Sequence, residues 1–141
     1  MRLPIALALL AATLAGGCGG SSPSAASVVR AWSQALNSGD NDGAADLFAP
    51  NAKIVQSGTV TTLANHHDAV AWNAGLLCSG KIVRISTHAN VATATFVLGD
   101  RKTSRCDGPG QRATAIFRVR KGKIVLWHQT PNPTAPAGPS V

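Results

Sequence analysis

Val28, Trp32, Ala35 and Leu36 recur at three- to four-residue intervals, so VVRAWSQALN predicts an amphipathic helix capped by Ser24 or Ser27. Asn37-Ser38-Gly39-Asp40 stops it. A short second helix is expected from Asp42 to Phe48, with Ala44, Ala45, Leu47 and Phe48 inward and Pro50 as its end. Lys53 to Gln56 reads as a first short strand, followed by a turn at Gly58. Leu63, His67, Val70, Ala74 and Leu77 fall on one stripe, which predicts a helix from Thr62 to Leu77 with His67 on its apolar line. Beyond Cys78-Ser79-Gly80 the period changes. KIVRIST and VATATFVL flank a turn around His88-Ala89-Asn90 and read as a hairpin, and QRATAIFRVR and IVLWHQT flank the turn at Lys121-Gly122-Lys123. Helices come first and strands last, an α+β order rather than a βαβ repeat.

The chain opens on a different pattern. Arg2 precedes an apolar run from Leu3 to Ala15 that is short for a bilayer span, so residues 1–17 read as a signal peptide. Ala15 and Gly17 supply small residues at minus three and minus one, and Cys18 follows. The segment resembles the lipobox of bacterial lipoproteins, with its leucine at Leu14, one position early. That resemblance implies cleavage before Cys18, acylation of Cys18 and anchorage on the outer face of the bacterial cell membrane, with free secretion as the alternative. Two or three acyl chains anchor stably where one does not. Residues 18–26 then form the lipidated cysteine and a flexible tether, in which Gly19 to Ser24 extends to about 20 Å. The folded domain is expected over 27–131, and the proline-rich 132–141 forms a loose tail.

Composition narrows the chemistry. A chain of 141 residues with 45% hydrophobic and 13% charged residues fits one small domain and excludes both a two-domain enzyme and a wholly disordered chain. It has no tyrosine, which removes any mechanism needing a phenol. With Cys18 acylated, Cys78 and Cys106 remain as an even pair in an oxidising compartment. A hairpin centred on Ala89 places residue 78 across from about residue 100, with Cys106 a few residues on in the following loop, so a Cys78–Cys106 disulfide is expected. No short Cys or His spacing supports a metal, and Asp40 and Asp42 fit helix initiation better than a calcium loop. No cofactor is expected.

Charge is unevenly placed. Residues 18–100 sum to minus one, whereas Arg101 to Lys123 carry eight basic residues against Asp107 alone. Export and the shortage of nearby aromatics argue against nucleic acid. A solvated face is one reading, and attraction to anionic lipid or to an acidic envelope polymer is the other.

The opening helix, the phrase LNSGDNDGAADLFAPNAKIV, a third helix and a closing hairpin ending GKIVLWHQT together resemble the nuclear-transport-factor-two-like superfamily, including its SnoaL-like members. The resemblance runs from about Ser27 to Pro131. It implies a cone-like α+β fold, in which N-terminal helices pack on a curved antiparallel sheet around an apolar cavity, and it allows a homodimer through the exposed sheet. The scaffold hosts enzymes and non-enzymes alike. The tyrosine and acids of isomerase-like members, and the Asp, Arg, Asp set of epoxide-hydrolase-like members, have no counterparts here. Candidate chemistry therefore rests on His67, His128 and Asp68 as a catalytic group and on Trp72, Trp127 and Gln129 as ligand contacts, with His66 beside them. Alternation puts Val125, Trp127 and Gln129 on one face of the last strand and Ile124, Leu126 and His128 on the other. Two readings compete: a non-catalytic, envelope-facing domain that binds a small apolar ligand or a protein partner, and a small cavity isomerase or hydrolase with a histidine base.

Overall fold

The computed structural model describes residues 21–131; the expected leader, Cys18 and the 132–141 tail lie outside the described residues. Helix α1 spans Ala25–Asn37, and its N-cap Ser24 accepts the Ser27 amide. Val28, Val29, Trp32 and Leu36 form its buried stripe, as the periodicity predicts. Helix α2 is a single turn, Asn41–Ala45, capped by the Asp40 carboxylate on Gly43 N–H at 2.8 Å. Phe48 therefore does not close α2 but opens strand β1, Phe48–Gln56. Pro50 is tolerated there because pairing with β6 skips from Phe48 to Lys53, and Asn51 turns through positive φ (62°) within the skip.

A strand stands where the start of a longer helix was expected. Thr59–Leu63 is β2, antiparallel to β1 across Ser57-Gly58, and α3 runs only from His66 to Gly75 behind the N-cap Asn65. Leu63 packs from the sheet rather than from a helix. The buried face of α3 consists of Ala69 and Asn73, with Val70, Trp72 and Leu76 partly buried beside them. His67 is on the opposite side.

Strands β3 (Cys78–His88), β4 (Val91–Asp100), β5 (Arg112–Arg120) and β6 (Lys123–Thr130) complete one six-stranded sheet in the order β2-β1-β6-β5-β4-β3. All neighbours are antiparallel except β1 and β6. Cys78 pairs with Asp100, the register that the hairpin arithmetic gives. It reaches that register through an irregularity at Val83, because the turn itself is the two-residue Ala89-Asn90. A second irregularity, between Arg118 and Val119, leaves Val125 as an extra residue in β6. Strict alternation fails there, so Ile124 joins Trp127 in the core instead of facing away from it.

The helices cover one face of the sheet. Val29, Ile54, Phe117 and Ile124 are among the most completely buried side chains, and with Val28, Leu36 and Ala92 they form the core between the layers. Gly80 is required where β3 passes Phe96, since a Cβ on it would lie 2.9 Å from the ring. Asn37 fastens α1 at that point. Its side chain donates to Gly80 O and accepts from Gly80 N–H, both at 2.9 Å.

Candidate functional site

Toward the start of β3 and the end of β6 the two layers part, leaving an open cavity of about 600 Å³. Its walls are Trp32, Leu36, Trp72, Leu76, Phe96, Leu98 and Trp127, and its mouth is edged by Gln56, Ser57, Leu77, Asp107 and Gln129. That size and a mostly apolar wall with a few polar groups are characteristic of a small-molecule site.

Three aromatic rings make the inner wall. Trp72 lies edge to face with Trp127 at 5.1 Å between centroids and stacks near Trp32 at 6.4 Å. Trp32 in turn packs on Phe117 at 5.4 Å. The indoles differ in one respect. Trp32 Nε1 donates to Asn73 Oδ1 at 2.8 Å, and Asn73 Nδ2 donates to Ala69 O at 2.8 Å, so that pair is satisfied within the helical layer. Trp127 is 6% exposed, and its Nε1 is buried with no hydrogen-bond partner among the described residues. An unmatched buried donor costs roughly 1–3 kcal/mol, and this one lies behind the cavity surface. Near it, Gln56 Nε2 donates to Gln129 Oε1 at 2.9 Å. Gln129 keeps its own amide hydrogens, and Gln56 its carbonyl, for other partners.

The structure thus brings Trp72, Trp127 and Gln129 to one cavity, and it does not bring His67, Asp68 and His128 there. The His67 side chain is 93% exposed, because α3 buries the line of Ala69 and Asn73 and turns that position outward. Its Nδ1 stands 4.0 Å from Asp68. Asp68 serves the helix start, accepting Ala64 N–H at 3.1 Å while its own N–H donates to Asn65. His128 alternates with Trp127 and Gln129 and pairs across with Ile116 and Val55 on the outer face of the sheet. His66 instead bridges α3 to α2, with Nε2 2.9 Å from Asp42 and Nδ1 3.3 Å from Asp46.

Besides the Asn37–Gly80 contact, two ties hold the mouth. Cys78 and Cys106 form the expected disulfide, with Cα atoms 4.5 Å apart, which fastens the loop after β4 to the start of β3. Asp107 Oδ1 lies 3.4 Å from Cys78 Sγ, but joined sulfurs offer no thiolate to a metal. The second tie is Arg101. It belongs to the basic stretch by sequence, yet it is 5% exposed, and burial lowers its pKa from the ordinary value. Its guanidinium donates to the Asn73 and Leu76 carbonyls at the end of α3, at 2.8 and 2.9 Å, and to Asn41 Oδ1. Those carbonyls are the negative end of the helix dipole, so the charge is compensated without a carboxylate. Sequence reasoning missed both Arg101 and Asn73. The one available signal was Asn73 standing four residues after Ala69 on a helix, a polar side chain in an otherwise small and apolar row.

The described fold is similar to several solved structures. An NTF2-like protein of unknown function from Cytophaga hutchinsonii matches with a TM-score of 0.64 at 12% identity, covering 78% of this chain and 91% of that one. Another, from Burkholderia xenovorans, matches with a TM-score of 0.60 at 20% identity, over 80% and 88%. A hypothetical protein with a ketosteroid isomerase-like fold from Catenulispora acidiphila, in complex with trimethylamine, gives 0.60 at 17% identity, over 79% and 87%. No curated protein matches. Residues 29–127 match the model of the SnoaL-like domain, and with the cone-shaped α+β architecture around its cavity this chain belongs to the SnoaL-like family.

Proposed function

We propose that this SnoaL-like domain is an exported, lipid-anchored binding protein whose cavity takes a small, mostly apolar ligand carrying one hydrogen-bond acceptor, without chemistry of its own. The observation that carries the reading is an open, aromatic-walled cavity of about 600 Å³ at whose mouth the Gln129 amide keeps its hydrogens for a ligand. A carbonyl or ether oxygen would accept from the Gln129 amide, while Trp72, Phe96 and Leu98 would cover the apolar body. His67 and His128 stand outside the cavity, which supports binding over a reaction with a histidine base. Support for export comes from the apolar run ending at Cys18 and from a disulfide that needs an oxidising compartment.

Titration of the protein with a neutral aryl ketone and with its carbonyl-free hydrocarbon analogue, followed by indole fluorescence, tests the site. Saturable one-to-one binding is expected for both. Gln129→Leu should weaken the ketone by about tenfold, and the hydrocarbon far less, because one hydrogen bond is worth about 0.5–1.5 kcal/mol. Ala113→Phe, at the cavity edge, should weaken both. Binding unaffected by either substitution would refute the assignment. Export is tested separately by fatty-acid labelling of cells, in which Cys18→Ala should abolish both the label and membrane retention.

A further inference from the structure

The register of the sheet sorts its cations. Lys53, Lys81, Arg84, Arg112, Arg118 and Arg120 all alternate with core residues, so the six share the outer face of the sheet. Carboxylates are placed elsewhere. Among the described residues, Asp40, Asp42, Asp46 and Asp68 belong to the helical layer and Asp100 and Asp107 to the cavity mouth. Arg118, Arg120 and Lys121 are exposed and lie at the end of the sheet opposite that mouth, by the turns Ala89-Asn90 and Lys121-Gly122. Lys123 is there too, donating to the Asp46 carbonyl.

The chain enters the domain at this same end. Ser22 to Ala25 border a shallow depression with Ala89, Asn90 and Val119 to Gly122. Gly122 (φ 74°) has Pro23 so close that a Cβ on it would lie 3.0 Å from Pro23 Cδ. Cys18 is only four residues before Ser22. A tether that short brings whatever holds Cys18 within roughly 15 Å of the basic turns.

We infer that the turn end of the sheet, through Arg118, Arg120 and Lys121, docks on anionic phospholipid headgroups, so that the cavity mouth points away from the bilayer. Ten residues of β4 separate the two ends, which sets the mouth about 30 Å above the surface. A second copy is a poor occupant of this face, because two identical cationic surfaces repel. The inference rests on the proposed anchoring for the direction of the tether, and the docking is tested independently of acylation.

Partition of the full-length chain onto phosphatidylcholine vesicles, with and without phosphatidylglycerol, gives the readout at low and high salt. The leader is common to every variant, so the ratio of anionic to neutral partition isolates the charge effect. Wild type should favour the anionic vesicles by at least about tenfold at low salt and lose that preference at high salt. R118Q/R120Q/K121Q should abolish most of the preference. K81Q/K102Q/R105Q, with the same charge removed from positions toward the mouth, should keep most of it. An equal loss in both variants, or no preference in wild type, overturns the docking. Stripping of wild type from anionic vesicles by poly(glycerol phosphate) at matched phosphate would also overturn it, in favour of an acidic polymer.

Discussion

The two ends of the sheet are built by different means. At the turn end the layers meet through contiguous apolar side chains, with Phe117, Ile124 and Val29 at 0% exposure. At the mouth they stand apart around an open cavity, and the ties there are few and specific: the Cys78–Cys106 bond, the Arg101 guanidinium on the end of α3, and the Asn37 amide on Gly80. Packing alone keeps two layers together only where it is dense. Where a protein keeps space for a ligand, it loses those contacts and must brace the gap with bonds that have direction. In this chain the hollow end carries the cross-links and the solid end carries the core.

The largest test of that contrast is a pair of truncations. Phe117→Ala should cost about 3–5 kcal/mol, because it opens a void where every neighbour is already in contact. Leu98→Ala, on the cavity wall, should cost no more than about 1–2 kcal/mol, since one side of that leucine already faces empty space. Denaturant melts would show it. Equal losses would mean that the mouth end is packed solid.

Removal of the disulfide comes next. Cys78→Ala with Cys106→Ala releases a 28-residue separation, and the loop-closure argument puts the loss at about 3 kcal/mol. The loss should be accompanied by faster amide exchange in β3 near Cys78 and in the loop after β4, with β5 and β6 near Lys121-Gly122 accelerated no more than the lowered global stability requires. Uniform loosening of both ends would break the comparison.

The two ends also differ in how far they could be read from the sequence. Helix α1 and the last two hairpins were legible because their periods are clean: Val28, Trp32 and Leu36 for 3.6, and VATATFVL and QRATAIFRVR for two. The same pattern sense failed at Thr59–Leu63, where Leu63 fits equally well as the first residue of a helical stripe and as the inward end of a strand. Only the cap, Asn65 accepting Asp68 N–H at 3.0 Å, distinguishes them. Bulges at Val83 and Val125 are invisible to a period-two reading, since each inserts one residue without changing the residue types around it. The ligand-contact types, Trp72, Trp127 and Gln129, were legible as candidates, but their convergence was not, because it depends on the pairing of Trp127 with Phe117 and on the crossing of α3 over the sheet. Arg101 was read with the basic stretch for the same reason. Nothing local marks a cation that will be buried on a helix end formed by residues 73 to 76.

The smallest expected effect separates two indoles of the hollow end at the level of one hydrogen bond. Trp32→Phe and Trp127→Phe remove similar volumes from adjoining parts of one aromatic cluster, so their packing losses should be close. They differ in what happens to the polar atoms. Without the Trp32 indole, Asn73 Oδ1 loses its partner in a position at 0% exposure, adding about 1–3 kcal/mol to the loss. Without the Trp127 indole, a buried donor that had no partner disappears, which offsets part of the packing loss. Trp32→Phe should therefore be the more destabilising by about 1–2 kcal/mol in the ligand-free protein. Equal losses for the two variants would mean that the Trp127 donor is already satisfied.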